Sequence, residues 1–199
     1  MGIFEEVEFH NIVIFVFVII IIYMYFENRN NDVNYEISTF DNRRYLVRNL
    51  PDKKDAANLL AQVRKNMEAL CDYLREKYPE NDGVNRLITK FNPDNISETN
   101  GGSKYTSYSV NKGEKIVLCL RARDDTEKLV DINTLMFVSL HELGHIMTLS
   151  IGHKTDFWDN FKFLLNNAID LKIYVKEDYS NNPKKYCGIM ITDSPLYSI

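Results

Sequence analysis

The stretch Leu135–Ile151, LMFVSLHELGHIMTLSI, constrains this chain more than any other. Read as a helix it is apolar almost all round, and such a helix has to be buried on most of its sides. Yet it carries His141, Glu142 and His145 at its middle. Taking a charged group out of water is costly unless the group is paired or bound to a metal. The fold therefore has to close a core around this helix and still leave one face to something that uses those polar groups. Asp131 is placed to cap the start, and Gly152 to stop the chain after residue 151.

Residues four apart share one face of a helix, so the two imidazoles of the HExxH motif project together. A zinc ion suits them. It takes two histidine nitrogens and one further protein ligand, and leaves a position open for water. The Glu of the motif reaches the bound water rather than the metal. Zinc lowers the pKa of that water toward ~7, so Glu142 can act as general base in peptide-bond hydrolysis. Three features add weight to a motif that is short by itself. It lies inside an apolar helix, Gly144 leaves room for close packing, and three of the four histidines (His141, His145 and His153) fall within thirteen positions. The third ligand is open to two residues. A metzincin pattern needs Gly at 148 and His at 151, where this chain has Thr148 and Ile151. A thermolysin-like site takes a Glu from the following helix, but residues 156–171 hold none. His153 follows the helix-breaking Gly152, where the chain can turn back toward the metal; Asp156 is the second candidate. Help at the developing oxyanion falls to the metal or to a tyrosine, with Tyr108 and Tyr186 the candidates.

His141-Glu142-Leu143-Gly144-His145, followed by Gly152-His153-Lys154-Thr155-Asp156-Phe157-Trp158, resembles the minimal zincins of the WLM and SprT-like groups. Their pattern is HExxH, a short variable stretch, then a His followed by an aromatic pair. The resemblance is sharp over 141–158 and loosely covers 43–199. It implies zinc on His141, His145 and His153, with Glu142 as the base. For some members it also implies action on DNA–protein crosslinks. The chain is similar as well to predicted metallopeptidases of large DNA viruses. Phe157 and Trp158, with Leu143, Ile146 and Met147, are expected in the core beneath the site. By analogy with zincins, the strand Ile116–Leu120 is expected at the rim of the cleft.

At the other end, Ile12 to Phe26 is fifteen residues without a charge, IVIFVFVIIIIYMYF. The preceding region is acidic and no small-residue cleavage site follows, so a signal peptide is disfavoured. The segment reads as a retained membrane anchor over 9–26, with Tyr23 and Tyr25 near one interface. Arg29, Arg43, Arg44 and Arg48 follow it and no Lys or Arg precedes it, which puts the remainder on the cytoplasmic side of a single-pass membrane protein. The chain then divides into an N-terminal tail (1–8), the anchor (9–26), a polar Asn-rich linker (27–42) and a zincin-like domain (43–199).

Within that domain, apolar positions from Leu59 to Leu74 repeat at helical spacing, which predicts a helix over 55–78. A short helix is expected over 84–91, a hairpin from 104–110 and 115–121, a helix over 156–171 and a last strand within 186–191. The fold class expected is α+β: helices with a small, mainly antiparallel sheet, behind an N-terminal transmembrane helix. Residues 27–199 carry 25 acids against 24 bases and no basic tract, so there is no clear nucleic-acid signal. Cysteines at 71, 119 and 187 are odd in number and lack a CxxC, which reads as no disulfide framework and fits a reducing compartment. Three readings of function follow: a membrane-anchored zinc metallopeptidase acting on a protein or peptide, a protease for DNA–protein crosslinks, or a non-catalytic zinc-binding membrane module. Glu142 argues against the last, because a structural zinc site has four protein ligands and no use for a base.

Overall fold

The computed structural model describes residues 2–29 and 32–197, with side chains in the first segment described over 10–25. The tail at 1–8 and residues 30–31 of the expected linker lie outside the side chains so described. The chain forms two compact units, within 1–32 and 33–199.

The first unit is one helix, α1 (Gly2–Arg29). Among the described residues no helix is long and apolar enough to cross a membrane. This overturns the transmembrane anchor at 9–26, and with it the single-pass membrane localisation and the cytoplasmic placement that followed from it. The physical reason is length. The uncharged run of fifteen residues rises about 22 Å at 1.5 Å per residue, short of a hydrocarbon core of about 30 Å.

The second unit begins with β1 (Val33–Ile37), which pairs antiparallel with β2 (Arg44–Arg48) through Tyr35 opposite Leu46. Residues 33–37 therefore form a strand where composition reads as linker. After β2 come α2 (Lys53–Lys77) and α3 (Asp82–Lys90). α2 follows its stripe: Leu60, Val63, Met67, Leu70 and Leu74 are buried, and the helix lies across β1, β2 and β3. It starts earlier than Asp55, at an N-cap residue, Asp52, whose carboxylate is occupied by the Arg121 Nη1 donor at 2.6 Å. Three short strands follow, β3 (Ile96–Glu98), β4 (Tyr108–Val110) and β5 (Lys115–Leu118). Next are α4 (Ile132–Met147) and α5 (Thr155–Asp170), then a separate hairpin of β6 (Lys184–Tyr186) and β7 (Ile189–Ile191).

The main sheet runs β1-β2-β3-β5-β4. It is mixed rather than mainly antiparallel: β2–β3 and β3–β5 are parallel, β1–β2 and β4–β5 antiparallel. The α2–α3 crossover returns β3 parallel to β2, and the β4–β5 hairpin then inserts β5 rather than β4 beside β3. Glu98 makes this inner strand polar. It is buried, accepting from the Arg48 backbone N–H at 2.6 Å and from Arg121 Nε at 2.9 Å. The tail at 186–191 is not one strand but the turn and second arm of the β6–β7 hairpin, reversed at Cys187 (φ 48°) and Gly188 (φ 85°). Cys119 and Cys187 form a disulfide across 68 residues, and Cys71 is free and buried. The reading of unconnected cysteines is thus corrected; the pairing follows from a meeting in space that sequence spacing does not encode.

Candidate metal centre

Asp131 caps α4 as expected, accepting from the Thr134 backbone N–H at 2.9 Å. The helix ends at Met147, before the expected 151. Thr148 turns extended (ψ 138°), and its backbone N–H and hydroxyl both donate to the Gly144 carbonyl. The early stop frees residues 148–154 to reverse direction. Gly152 takes the left-handed backbone that this reversal needs (φ 81°).

The reversal brings His153 back onto the helix face. The Nε2 atoms of His141, His145 and His153 form a triangle with sides of 3.2, 3.1 and 3.0 Å. In tetrahedral zinc sites Zn–N bonds of about 2.0–2.1 Å set the nitrogens roughly 3.3 Å apart, and this triangle is close to that size. The three side chains each offer one ligand atom and could hold one metal ion. Burial, reinforced by the neighbouring imidazoles, depresses His141 to about 3. Burial likewise depresses His145 to about 4, with His153 and Lys112 adding to it. Both rings are thereby held neutral, the form in which imidazole coordinates a metal.

Phe157 organises the cluster. Its ring centroid lies 4.8, 4.4 and 4.7 Å from those of His141, His145 and His153, stacked on His145 and edge-on to the other two. It is fully buried, as expected of a core residue. Trp158 is not core: it is 43 % exposed and lies beside His153 with centroids 5.6 Å apart. Leu143, Ile146 and Met147 are buried as expected. Gly144 keeps this packing close: a Cβ there would sit 3.2 Å from Phe157 Cε2, so the ring would have to give by a few tenths of an ångström. A Gly144→Val chain is expected to lose about 1–3 kcal/mol to overpacking, together with metal affinity as Phe157 moves. Thermal unfolding with and without zinc measures both, and an unchanged zinc-dependent stabilisation would show that Phe157 does not set the triangle.

Glu142 is only 5 % exposed and faces the same cavity of about 540 Å³ as the three histidines. Burial lifts its carboxyl to about 7, against an opposing hydrogen bond with the Ser109 backbone. Asp156 stays out of the cluster; its carboxylate accepts from the Ser150 hydroxyl at 2.7 Å and fastens the loop. Tyr186 lines the cavity, but its hydroxyl already donates to the Cys119 carbonyl at 2.9 Å and lies 2.7 Å from Ser107 Oγ. Tyr108 lines it from β4 and is partly exposed. The strand at the sheet edge beside the cavity is β4, not the segment Ile116–Leu120, whose β5 residues are enclosed between β3 and β4. Sequence reasoning missed four apolar residues that line the cavity, Phe137 and Val138 from α4 and Ile189 and Ile191 from the C-terminal hairpin. Phe137 and Val138 lie within about one turn of His141 and were within reach of helical spacing. Of the hairpin, more than forty residues downstream, only Tyr186 was singled out, and nothing local marks the isoleucines.

Residues 38–195 match the family model of the WLM domain. An uncharacterised protein of Acanthamoeba polyphaga mimivirus is 36 % identical over 190 residues, covering 94 % of this chain and 96 % of that protein. An uncharacterised protein of Invertebrate iridescent virus 6 is 34 % identical over 82 residues, covering 41 % of this chain and 44 % of that one. Among solved structures, Wss1 from Saccharomyces cerevisiae is similar with a TM-score of 0.48 and 24 % identity, covering 63 % of this chain and 87 % of that chain. The match through the helix, the histidine loop and the C-terminal hairpin, with a full-length viral relative, places this chain in the WLM domain family, a metalloprotease-type fold.

Proposed function

We propose that this chain is a zinc-dependent peptidase in which His141, His145 and His153 hold the metal and Glu142 is the general base. The observation that carries the reading is the triangle of Nε2 atoms opening onto a cavity that also holds a buried carboxyl. When bound, zinc supplies a Lewis acid that polarises a peptide carbonyl and acidifies a water. The chain's own residues do the rest. Glu142, with a proton affinity raised by burial, takes a proton on one side of the reaction and returns it to the leaving amine on the other. Phe137, Val138, Ile189 and Ile191 give the cavity an apolar wall that receives a substrate side chain and excludes bulk water. β4 is the edge strand of the main sheet, the place where an extended peptide would pair in the manner of an added strand. Among the described residues no fourth His, Cys, Asp or Glu joins the histidine group, which favours a working site over a purely structural one.

WLM membership favours a protein crosslinked to DNA as one substrate class, the second reading. Equal cleavage of a free protein and of the same protein crosslinked to DNA would remove that preference and leave a general peptidase.

Metal analysis of the full chain tests the reading. One zinc per chain is expected in the wild type and a sharp loss in His153→Ala, because two histidines alone leave half a tetrahedral site unfilled. Cleavage of an unfolded protein such as casein is expected to stop with a chelator and return with zinc. A folded, zinc-supplemented wild type that holds no metal would sink the peptidase reading. Full retention in His153→Ala would move the third ligand elsewhere.

A further inference from the structure

The loop from Thr148 to Lys154 is held by packing only at its ends, where Thr148 is buried and His153 lies against Phe157 and Trp158. Between them Leu149 and Ile151 are 73 % and 85 % exposed, so no apolar anchor pins the middle. The loop begins just past the C-terminus of α4, the end of a helix that carries partial negative charge. There Lys112 meets the first three carbonyls after the helix. Its Nζ donates to the Thr148, Leu149 and Ser150 carbonyls at 2.7, 2.9 and 3.2 Å, using all three ammonium protons. Three consecutive carbonyls aimed at one cation require the backbone to curl around it. That curl reverses the chain after α4 and starts it back toward His141 and His145. The other ties bracket the curl: Asn160 Nδ2 donates to Thr148 Oγ1 at 2.8 Å, the Ser150 hydroxyl donates to Asp156 at 2.7 Å, and Arg86 donates to the Met147 carbonyl.

The place from which Lys112 reaches is also informative. It sits in the turn between β4 and β5, where Asn111 and Lys112 are both left-handed (φ 48° and 51°). Turns of this kind favour Gly at the second central position, because a side chain there is strained. Here Lys occupies it, and glycine comes one residue later. At Gly113 (φ 117°) a Cβ would lie 2.5 Å from the Lys90 carbonyl oxygen, so the turn is pressed against the end of α3. The Asn92 N–H donates to the Gly113 carbonyl at 2.9 Å and fixes that contact. A strained lysine on a braced turn, with every proton spent on one loop, has a task there.

We propose that Lys112 is a positioning residue for the metal centre: by caging the Thr148, Leu149 and Ser150 carbonyls it fixes the loop that delivers His153. This role rests on the reading that His141, His145 and His153 bind zinc. Lys112 lines the cavity but has no proton left for substrate; it acts through His153.

The test is zinc affinity of the full chain by competition with a chelator, for wild type, Lys112→Gly and Lys112→Arg, each also in a His153→Ala background. Lys112→Gly is the main variant because Asn-Gly suits the turn, so the hairpin is kept while the ammonium is lost. Lys112→Met, which keeps the stem, serves if the glycine variant fails to fold. Circular dichroism of the zinc-free proteins establishes folding. Lys112→Gly is expected to weaken zinc binding about 10–100-fold, the range for groups that hold metal ligands in place. Lys112→Arg should recover part of it. In the His153→Ala background the same change should add less than about 2-fold, because the ligand through which Lys112 acts is already gone. Unchanged affinity in Lys112→Gly, or an equal loss in both backgrounds, overturns the role while leaving the three-histidine site intact. A wild type that binds no zinc overturns the site reading and the role together.

Discussion

Replacing Glu142 by Gln is expected to lower peptide hydrolysis by about 10²–10⁴-fold, the usual worth of a positioned general base, while zinc content stays at the wild-type level. The amide keeps the shape of the carboxylate and an acceptor oxygen for the Ser109 backbone, but it cannot take a proton. The same variant should gain stability in the zinc-free state, and the sign is set by burial. Glu142 has a folded value of about 7, above the ordinary carboxylate value of 4.5. Between those two values the folded chain binds the proton more tightly than the unfolded chain, so wild-type stability falls as pH rises through this window. At pH 8 the charged, buried carboxylate costs up to about 3 kcal/mol, and the neutral amide avoids that cost. Zinc-free Glu142→Gln should therefore unfold later than wild type at pH 8 and at the same point near pH 4. Comparing the two proteins cancels His141 and His145, whose depressed values act separately, weakening both proteins as pH falls below about 6.5. Undiminished cleavage by Glu142→Gln would remove Glu142 from the base role; a stability difference independent of pH would mean that its carboxyl is not held near 7.

Breaking the Cys119–Cys187 link, by Cys187→Ser or by a reductant, is expected to cost about 4 kcal/mol, the loop-closure value for a crosslink of this span. The effect on activity should exceed what stability alone explains. The disulfide joins the end of the β5 region to the turn of the β6–β7 hairpin. That hairpin is a two-stranded sheet, which is marginal by itself. It supplies Tyr186, Ile189 and Ile191 to the wall of the cavity. Released from Cys119, the hairpin keeps the Tyr186 hydroxyl bonds and the Lys184 ion pairs with Glu177 and Asp131, but loses the covalent tie nearest the wall. Substrate affinity should then weaken while zinc content holds, because none of the three histidines lies on the hairpin. Urea unfolding with and without reductant, beside KM and metal content, checks this. Equal midpoints for a chain shown by mass to be oxidised and one shown to be reduced would refute it.

The helices and the histidine motif were legible in the chain itself. The spacing of Leu60, Val63, Met67, Leu70 and Leu74 marks α2, and His141 and His145 share a face because four residues make about one turn. Gly152 before His153 marks a reversal for the same local reason. These are short-range facts, decided within one or two turns of helix. The N-terminal run was misread in the same local way: its apolarity is plain, but its length falls short of a span. Where evidence along the chain was sparse, tertiary structure decided. β3 is three residues with buried Ser97 and Glu98, so no apolar alternation announces it; it is held by pairing with β2 and β5, while Arg48 and Arg121 from elsewhere satisfy the buried Glu98. The mixed sheet, the disulfide, the hairpin's share of the cavity lining and the grip of Lys112 on the loop before His153 all join residues tens of positions apart. Helical periodicity and i,i+4 geometry are properties of the nearby chain, so the sequence declared them. Strand order, crosslinks and the shape of a site depend on which distant surfaces the core brings into contact, and only the folded chain decides that.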